Sequence, residues 1–231
     1  MTAKIKSPTL PPPPSKRGRV GVGVQPTLDH EDQLRQAGHA LVAGIDEAGR
    51  GAWAGPVVAA AVILDHRHID QLAGVNDSKQ LSPRQREALY QLIIDNCRAF
   101  GVGHGSVDEI DSIGIVPATR LAMMRAIEAL SPQPNALIID AVRLPKVNLP
   151  QSVFFFADSI SLSVAAASII AKVTRDRLMV ELDARYPRYD FARHKGYGTR
   201  IHQVALQSIG PCDLHRKTFK PISAFIADRL L

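Results

Sequence analysis

The 231-residue sequence predicts an α/β fold with one central sheet and a helical annex at the C-terminal end. Three segments carry this prediction. Residues 57–64 (VVAAAVIL) are apolar throughout, which is typical of a strand buried on both faces. Ser82, Pro83 and Gln85 have the pattern of a helix start, in which Ser82 is the cap. Residues 161–183 predict a long helix whose alanines allow close packing against a sheet.

The remaining elements follow from hydrophobic spacing and from cap and turn residues. Further strands are predicted over 41–45, 100–107, 135–142 and 153–157, and further helices over 28–36, 82–100, 116–130, 199–207 and 221–230. No internal repeat is visible, and the length fits one large domain. We expect a catalytic domain over 28–231 and a disordered, Pro-rich basic tail over 1–27.

Basic residues are concentrated in two parts of a chain whose net charge is +6. Residues 1–28 carry five basic side chains and no acidic one, which fits either a solvated extension or a weak nucleic-acid tether. Residues 172–220 hold eleven lysines and arginines against five acids. Such a basic region indicates a polyanionic partner. We expect His194, His202 and His215, which lie among these residues, to contact phosphate or solvent.

No segment predicts secretion or membrane insertion. The longest strongly apolar run, 57–64, is far shorter than the ~20 residues that cross a bilayer. The first six residues lack the apolar region of a secretory signal. The two cysteines, Cys97 and Cys212, have no zinc-binding spacing. The sequence therefore predicts a cytoplasmic protein with no membrane partner.

Acidic residues follow three of the predicted strands. Asp46 and Glu47 follow the strand 41–45, Asp140 ends an apolar run, and Asp158 follows the strand 153–157. Because ligands gather at the carboxyl ends of strands in open α/β sheets, we expect the four carboxylates to share one site. Each one alone could instead cap a helix or begin a loop. Strand alternation predicts that Asp46 and Glu47 both face inward only if the strand ends or bulges there.

Clustered carboxylates without cysteine or neighbouring histidine favour hard cations such as Mg²⁺ or Mn²⁺. Two such ions roughly 3.5–4 Å apart can activate a water and stabilise the departing oxygen in a displacement at phosphorus. The acidic centre and the basic region together predict a metal-dependent enzyme that acts on phosphodiesters. Because the carboxylates repel one another, we expect at least one of them to have a raised pKa without metal.

Six segments, in order, resemble the ribonuclease HII family. They are 44–51 (GIDEAGRG), 54–61 (AGPVVAAA), 76–82 (NDSKQLS), 161–177 (SLSVAAASIIAKVTRDR), 194–199 (HKGYGT) and 215–219 (HRKTF). The resemblance covers residues 28–225 and implies an RNase H-like fold, a five-stranded mixed sheet flanked by helices with extra C-terminal helices. It implies a monomeric endonuclease that cleaves the RNA of RNA–DNA hybrids. It also implies incision 5′ of a single ribonucleotide in duplex DNA, which leaves 3′-hydroxyl and 5′-phosphate ends.

The resemblance further implies roles for individual residues. The catalytic and metal-binding acids are Asp46, Glu47, Asp140 and Asp158, which hold two Mg²⁺ or Mn²⁺ ions during catalysis. The ribose sensor consists of Gly49, Arg50, Gly51 and Tyr197. In that sensor the glycines let the backbone approach the 2′-hydroxyl and the ring packs on the adjacent sugar. The residues that contact substrate phosphates are Ser78, Lys79, Lys172 and Arg175.

The chain departs from the family pattern beside two of the acids. Ala141 stands where the family usually has glycine, and Phe156-Ala157 stand where it usually has Lys-Gly, which removes a positive charge close to Asp158. Two other functions stay open. One is a hybrid-binding protein whose site these changes have silenced, and the other is a nucleotide-binding module based on the weak glycine cluster at 101–105. Trp53 fits either the core or the rim of a substrate groove.

Overall fold

The computed structural model describes residues 25–228. The predicted tail therefore lies outside the described residues, apart from 25–27. The centre of the fold is a five-stranded sheet with the strand order β3-β2-β1-β4-β5. Its strands are β1 (Val42–Ala48), β2 (Val57–Leu64), β3 (Cys97–Gly105), β4 (Ala136–Asp140) and β5 (Gln151–Phe154).

The pairing of the strands brings three carboxyl ends to the same edge of the sheet. β1 pairs antiparallel with β2, and β2 pairs antiparallel with β3. β4 pairs parallel with both β1 and β5. Because β1, β4 and β5 run in one direction, their carboxyl ends meet at one edge, and the predicted acids lie at or just after these ends. The prediction of a five-stranded mixed sheet is confirmed.

Helices cover both faces of the sheet. They are α1 (Asp29–Gln36), α2 (Pro83–Asn96), α3 (Val107–Ile113), α4 (Ile115–Glu128), α5 (Leu162–Arg185), α6 (Phe191–His194), α7 (Arg200–Ile209) and α8 (Lys220–Asp228), with short 3₁₀ turns at His66–Leu72 and Ala157–Ser159. None of the helices within residues 25–228 is both long and apolar enough to cross a membrane.

β2 is buried on both faces, as its apolar run predicts. Ala59 and Ala61 pack in the core beneath α4, while Ala60 and Val62 pack in the core beneath α5. Four alanines of α5 are fully buried, so the long helix lies close to the sheet; they are Ala165, Ala166, Ala167 and Ala171. This packing fixes α5 beside the carboxyl end of β1, where the acids lie.

Two local features differ from the sequence prediction, and a third, the glycine cluster at 101–105, lies in the strand predicted there. α2 begins at Pro83 with the predicted capping box but ends at Asn96, because β3 starts directly after it. α3 was not predicted, although Ser106 and Glu109 form a capping box at its start. The glycine cluster lies within β3, where a Cβ on Gly103 would meet the carbonyl oxygen of Ala122 at 2.1 Å. The cluster therefore permits helix packing, and the nucleotide-binding hypothesis loses its basis.

The C-terminal annex has a core of its own, built from α6, α7, α8 and the end of α5. Met179, Phe191, Leu206 and Ile222 are buried there, and Trp53 packs against them. Trp53 therefore belongs to the core of the annex and connects it to the segment that follows β1.

Candidate active site

The acids predicted at the sheet edge lie at or beside one pocket. Asp46 is buried in β1, Asp140 is the last residue of β4, and Asp158 is buried in the 3₁₀ turn that follows β5. Asp46, Glu47 and Asp140 line a pocket of about 350 Å³. Asp158 is not among the lining residues, but Lys79, which binds it, is.

Asp46 and Glu47 both line this pocket without a break in the strand. β1 continues to Ala48 in regular register with β2, so the expected end or bulge is wrong. The Asp46 carboxylate accepts a hydrogen bond from the backbone N–H of Glu47 (2.7 Å). The Glu47 carboxylate accepts one from the Arg50 guanidinium (2.9 Å). The pocket therefore opens at the strand end, within reach of both side chains.

The backbone after β5 supports Asp140. The N–H of Ala157 donates to Oδ1 of Asp140 at 2.9 Å. Phe156 has a left-handed backbone (φ 62°), and so has Ala141 (φ 52°). Left-handed conformations disfavour residues with a Cβ, so the alanine at 141, where the family usually has glycine, strains the backbone beside Asp140. At 156 the usual lysine also carries a Cβ, so phenylalanine adds no backbone strain of this kind.

The positive charge that is absent at position 156 is supplied from elsewhere. Nζ of Lys79 lies 2.8 Å from Oδ2 of Asp158. Phe156 itself is exposed, as is Phe155. A cation therefore still neutralises Asp158, although it comes from the segment between β2 and α2.

Burial raises the pKa of all four carboxyl groups. The pKa of Asp46 is raised well above its ordinary value, first by burial and then by repulsion from Glu47, Asp140 and Asp158. Burial is also the largest cause for Glu47, Asp140 and Asp158, and nearby cations oppose it. The prediction that at least one acid has a raised pKa is confirmed.

The donor atoms fit a hard divalent cation. Oε2 of Glu47 and Oδ1 of Asp158 are buried and lack a hydrogen-bond partner, so each has a free lone pair. Across residues 25–228, no three acid, histidine or cysteine side chains already converge on one point as metal ligands. The other oxygens of Glu47 and Asp158 bind Arg50 and Lys79. The oxygens left for a cation on these two residues are therefore Oε2 of Glu47 and Oδ1 of Asp158.

A tight turn borders the carboxylates and lines the same pocket. It consists of Gly49, Arg50 and Gly51, which we call the Gly-Arg-Gly turn. Gly49 has a φ of 91°, and a Cβ there would lie 1.9 Å from Nε of Arg175. A Cβ on Gly51 would meet open space. Gly49 is therefore required by the fold, whereas Gly51 leaves the backbone open to the pocket.

Tyr197 comes after all four acids in the sequence, yet it lines the same pocket as Asp46, Glu47 and Asp140. Nζ of Lys172 is 5.6 Å from its ring centroid. Lys172, Tyr197 and Arg86 also line an adjoining groove of about 730 Å³, which further contains Arg177, Arg193 and Lys195. The carboxylate pocket thus opens into a larger basic groove.

Three of the four predicted phosphate contacts, Ser78, Lys79 and Lys172, line the carboxylate pocket. Arg175 does not. Its guanidinium is fully buried and donates to the backbone carbonyls of Ala54, Pro56 and Lys195 at 2.9–3.1 Å. The prediction that Arg175 contacts phosphate is therefore wrong, because the side chain has no surface left for a substrate.

Sequence reasoning missed two arginines. Arg86 lines both the pocket and the groove, and Arg216 is fully buried behind the Gly-Arg-Gly turn. Arg216 lies in one of the segments that resemble the ribonuclease HII family, but nothing in that segment shows its contacts. Arg86 occupies the first turn of α2, and its position next to Ser78 depends on the tertiary fold.

His202 and His215 are fully buried, so their expected phosphate or solvent contacts are wrong, whereas His194 is buried but lines the adjoining groove. Nε2 of His202 lies 2.9 Å from Nε2 of His215, and the ring of His194 stacks on that of His202 at 4.3 Å. Burial lowers the pKa of His202 and of His215 to about 4. These side chains form part of the annex core.

A mixed five-stranded sheet, with acids at neighbouring strand ends and a basic groove beside them, places the molecule among the RNase H-like nucleases. Residues 43–222 match the family model described as Ribonuclease HII. The chain therefore belongs to the ribonuclease HII family, whose members are endoribonucleases of the RNase H type and use divalent metal ions.

Individual relatives support this assignment. The chain is 56% identical to Ribonuclease HII of Chloroflexus aurantiacus over 200 residues, which cover 85% of this chain and 94% of the relative. It is 49% identical to Ribonuclease HII of Geotalea uraniireducens over 199 residues, or 86% and 91% of the two chains. The crystal structure of the ribonuclease H2 from Pyrococcus horikoshii OT3 matches with a TM-score of 0.69 and 30% identity, over 81% of this chain and 98% of that one.

Proposed function

We propose that this protein incises duplex DNA on the 5′ side of a single embedded ribonucleotide and cleaves the RNA strand of RNA–DNA hybrids. The observation that carries the proposal is the shared pocket: Asp46, Glu47 and Asp140 line it together with the Gly-Arg-Gly turn and Tyr197. An acidic centre next to an accessible backbone and an aromatic ring suits a phosphodiester beside a ribose.

The four acids Asp46, Glu47, Asp140 and Asp158 supply the ligands for two divalent ions, Mg²⁺ or Mn²⁺. Bound there, such ions would supply an activated water and charge stabilisation for the departing 3′-oxygen, and the products would carry 3′-hydroxyl and 5′-phosphate ends. Lys79 favours the ionised form of Asp158, and the N–H of Ala157 orients Asp140. Glu47 and Asp158 would offer the cations the oxygens that do not bind Arg50 and Lys79.

Recognition of the substrate divides between ribose and phosphate contacts. The backbone of the Gly-Arg-Gly turn contacts the 2′-hydroxyl, which can donate and accept hydrogen bonds, and the ring of Tyr197 packs on the adjacent sugar. Ser78, Lys79 and Lys172 bind phosphates and position the duplex without reading its sequence. Arg86 is added to this group because it joins the pocket to the groove. We further propose a monomer that works in the cytoplasm on ribonucleotides misplaced in DNA.

The experiment is incubation with a DNA duplex that contains one ribonucleotide, in Mg²⁺ or in Mn²⁺, beside an all-DNA duplex of the same sequence. We expect one nick, 5′ of the ribonucleotide, and none in the control duplex. A long RNA–DNA hybrid tests the second activity. Absence of a nick in both metals would refute the proposal, and salt-sensitive binding without any cleavage would favour a silenced hybrid-binding protein. The ion pair of Lys79 with Asp158 supports an active enzyme over a silenced one, because a cation still lies beside this acid.

A further inference from the structure

The guanidinium of Arg216 binds three backbone carbonyls of one short segment. Nη2 donates to Gly49 at 2.8 Å, Nη1 donates to Arg50 at 2.9 Å, and Nε donates to Gly55 at 2.9 Å. The backbone N–H of Arg216 also donates to the carbonyl of Trp53 at 2.8 Å. All three guanidinium nitrogens therefore donate to the segment that contains the Gly-Arg-Gly turn.

These contacts fix where the amide groups of the turn point. In a trans peptide the C=O and the following N–H point in opposite directions. Because the carbonyls of Gly49 and Arg50 point to Arg216, the N–H groups of Arg50 and Gly51 point away from it. Both residues line the carboxylate pocket. Among the described residues, neither N–H donates a hydrogen bond, so two successive donors are free at the pocket.

Simple packing does not require a charge at this position. Arg216 is fully buried, and none of the ion pairs found in residues 25–228 includes it. A buried charge without an acid is costly unless its hydrogen bonds are all made. Here carbonyls satisfy it and the ring of Phe219 covers it at 5.0 Å. A cation on a carbonyl also polarises the peptide group, which strengthens its N–H as a donor.

We propose that Arg216 is the positioning residue for ribose recognition: it holds the N–H groups of Arg50 and Gly51 toward the pocket, where they bind the 2′-hydroxyl. This inference rests on the proposed function, since it requires that the Gly-Arg-Gly turn contacts the ribose. Arg175 binds a different part of the segment, through Ala54 and Pro56, and supports it from the α5 side.

The test measures binding rather than cleavage. Two proteins are compared in Mg²⁺: the Asp140→Asn variant, and the same variant with Arg216→Lys added. For each, we measure the dissociation constant of a duplex with one ribonucleotide and that of the all-DNA duplex. Lysine keeps the charge but cannot reach three carbonyls at once. We expect affinity for the ribonucleotide duplex to fall about tenfold, with little change for the all-DNA duplex.

The matched control is Ile222→Ala, which removes a buried side chain from the annex without touching the turn. It destabilises the protein but leaves the ratio of the two affinities unchanged. If Arg216→Lys keeps the parental ratio within twofold, the inference is wrong. If the Asp140→Asn parent itself shows no preference for the ribonucleotide, ribose recognition by this protein fails instead, which is a separate result.

Phe219→Leu provides a milder variant in case Arg216→Lys does not fold. It replaces the ring that covers the guanidinium by a smaller aliphatic side chain and leaves every donor of Arg216 in place. We expect the same direction of change, a loss of about twofold to threefold in the affinity ratio. An unchanged ratio in a folded Phe219→Leu protein, together with an unfolded Arg216→Lys protein, would show that Arg216 has a purely structural role.

Discussion

Nζ of Lys79 lies 2.8 Å from Oδ2 of Asp158, although the two residues are 79 positions apart in the chain. The carboxylate is almost completely buried, whereas the lysine is largely exposed. Burial raises the pKa of Asp158 and Lys79 opposes that rise. The contact thus favours the ionised form of Asp158 at a position where the usual neighbouring lysine is replaced by Phe156.

Lys79→Met is expected to shift the acidic limb of the pH profile of kcat/KM to higher pH. Without the cation, the pKa of Asp158 rises further, so this group becomes protonated earlier as the pH falls. Only the ionised form binds a divalent cation well. Measuring kcat/KM for incision from pH 5.5 to 9 tests the shift. Lys79→Arg preserves the charge and should keep the parental limb; an identical shift in both variants would show that the charge is not the cause.

The Gly-Arg-Gly turn allows fold and substrate effects to be separated. Gly49→Ala places a Cβ against Arg175 at a φ of 91°, and we expect it to lower the free energy of unfolding by on the order of 2–4 kcal/mol. Gly51→Ala meets open space and should change stability by less than about 0.5 kcal/mol. Chemical denaturation checks both values.

Incision kinetics complete this comparison. Because Gly51 lines the pocket, a methyl group there hinders the approach of the sugar, and we expect a lower kcat/KM in a fully stable Gly51→Ala protein. Unchanged kinetics of Gly51→Ala would indicate that the turn does not approach the substrate.

The buried histidine pair predicts acid sensitivity of the annex. Burial holds the pKa of His202 and His215 near 4, below the unfolded value of about 6.5. As the pH falls below that unfolded value, the unfolded chain takes up protons first, so stability present above pH 6.5 is lost toward pH 4. The slope is about 1.4 kcal/mol per pH unit for each histidine. Urea unfolding between pH 7.5 and 4.5 measures it, and a His202→Asn protein should show a shallower slope than the parent.

Local patterns predicted the elements that position the acids, and tertiary contacts explain what they missed. The apolar run of β2 and the cap at Ser82 depend on neighbouring residues alone, so both were correct. The capping box at Ser106 carried a similar signal for α3 and was overlooked. The burial of Arg175 and Arg216 has no such local signal, because a basic residue in a basic segment resembles a surface residue. Only the fold shows that both point inward to carbonyls.

For the acids, too, the sequence predicted their location, whereas their contacts depend on the tertiary fold. Their positions at strand ends predicted a shared pocket, and Asp46, Glu47 and Asp140 line one. The contacts of Glu47 with Arg50 and of Asp158 with Lys79 were not predictable, because they depend on how two loops approach the sheet edge. The expected interruption of β1 was unnecessary, since the pocket lies at the strand end itself.

The central claim is that the four carboxylates act as one catalytic centre. The most direct measurement is the single-turnover incision rate of Asp46→Asn, Glu47→Gln, Asp140→Asn and Asp158→Asn, with Asp176→Asn as the control. Asp176 pairs with Lys172 in the adjoining groove and is not among the residues of the carboxylate pocket. We expect each of the four variants to lose about a thousandfold or more in rate, while Asp140→Asn still binds the duplex and the control stays within about threefold. A parental rate in any of the four would contradict the account.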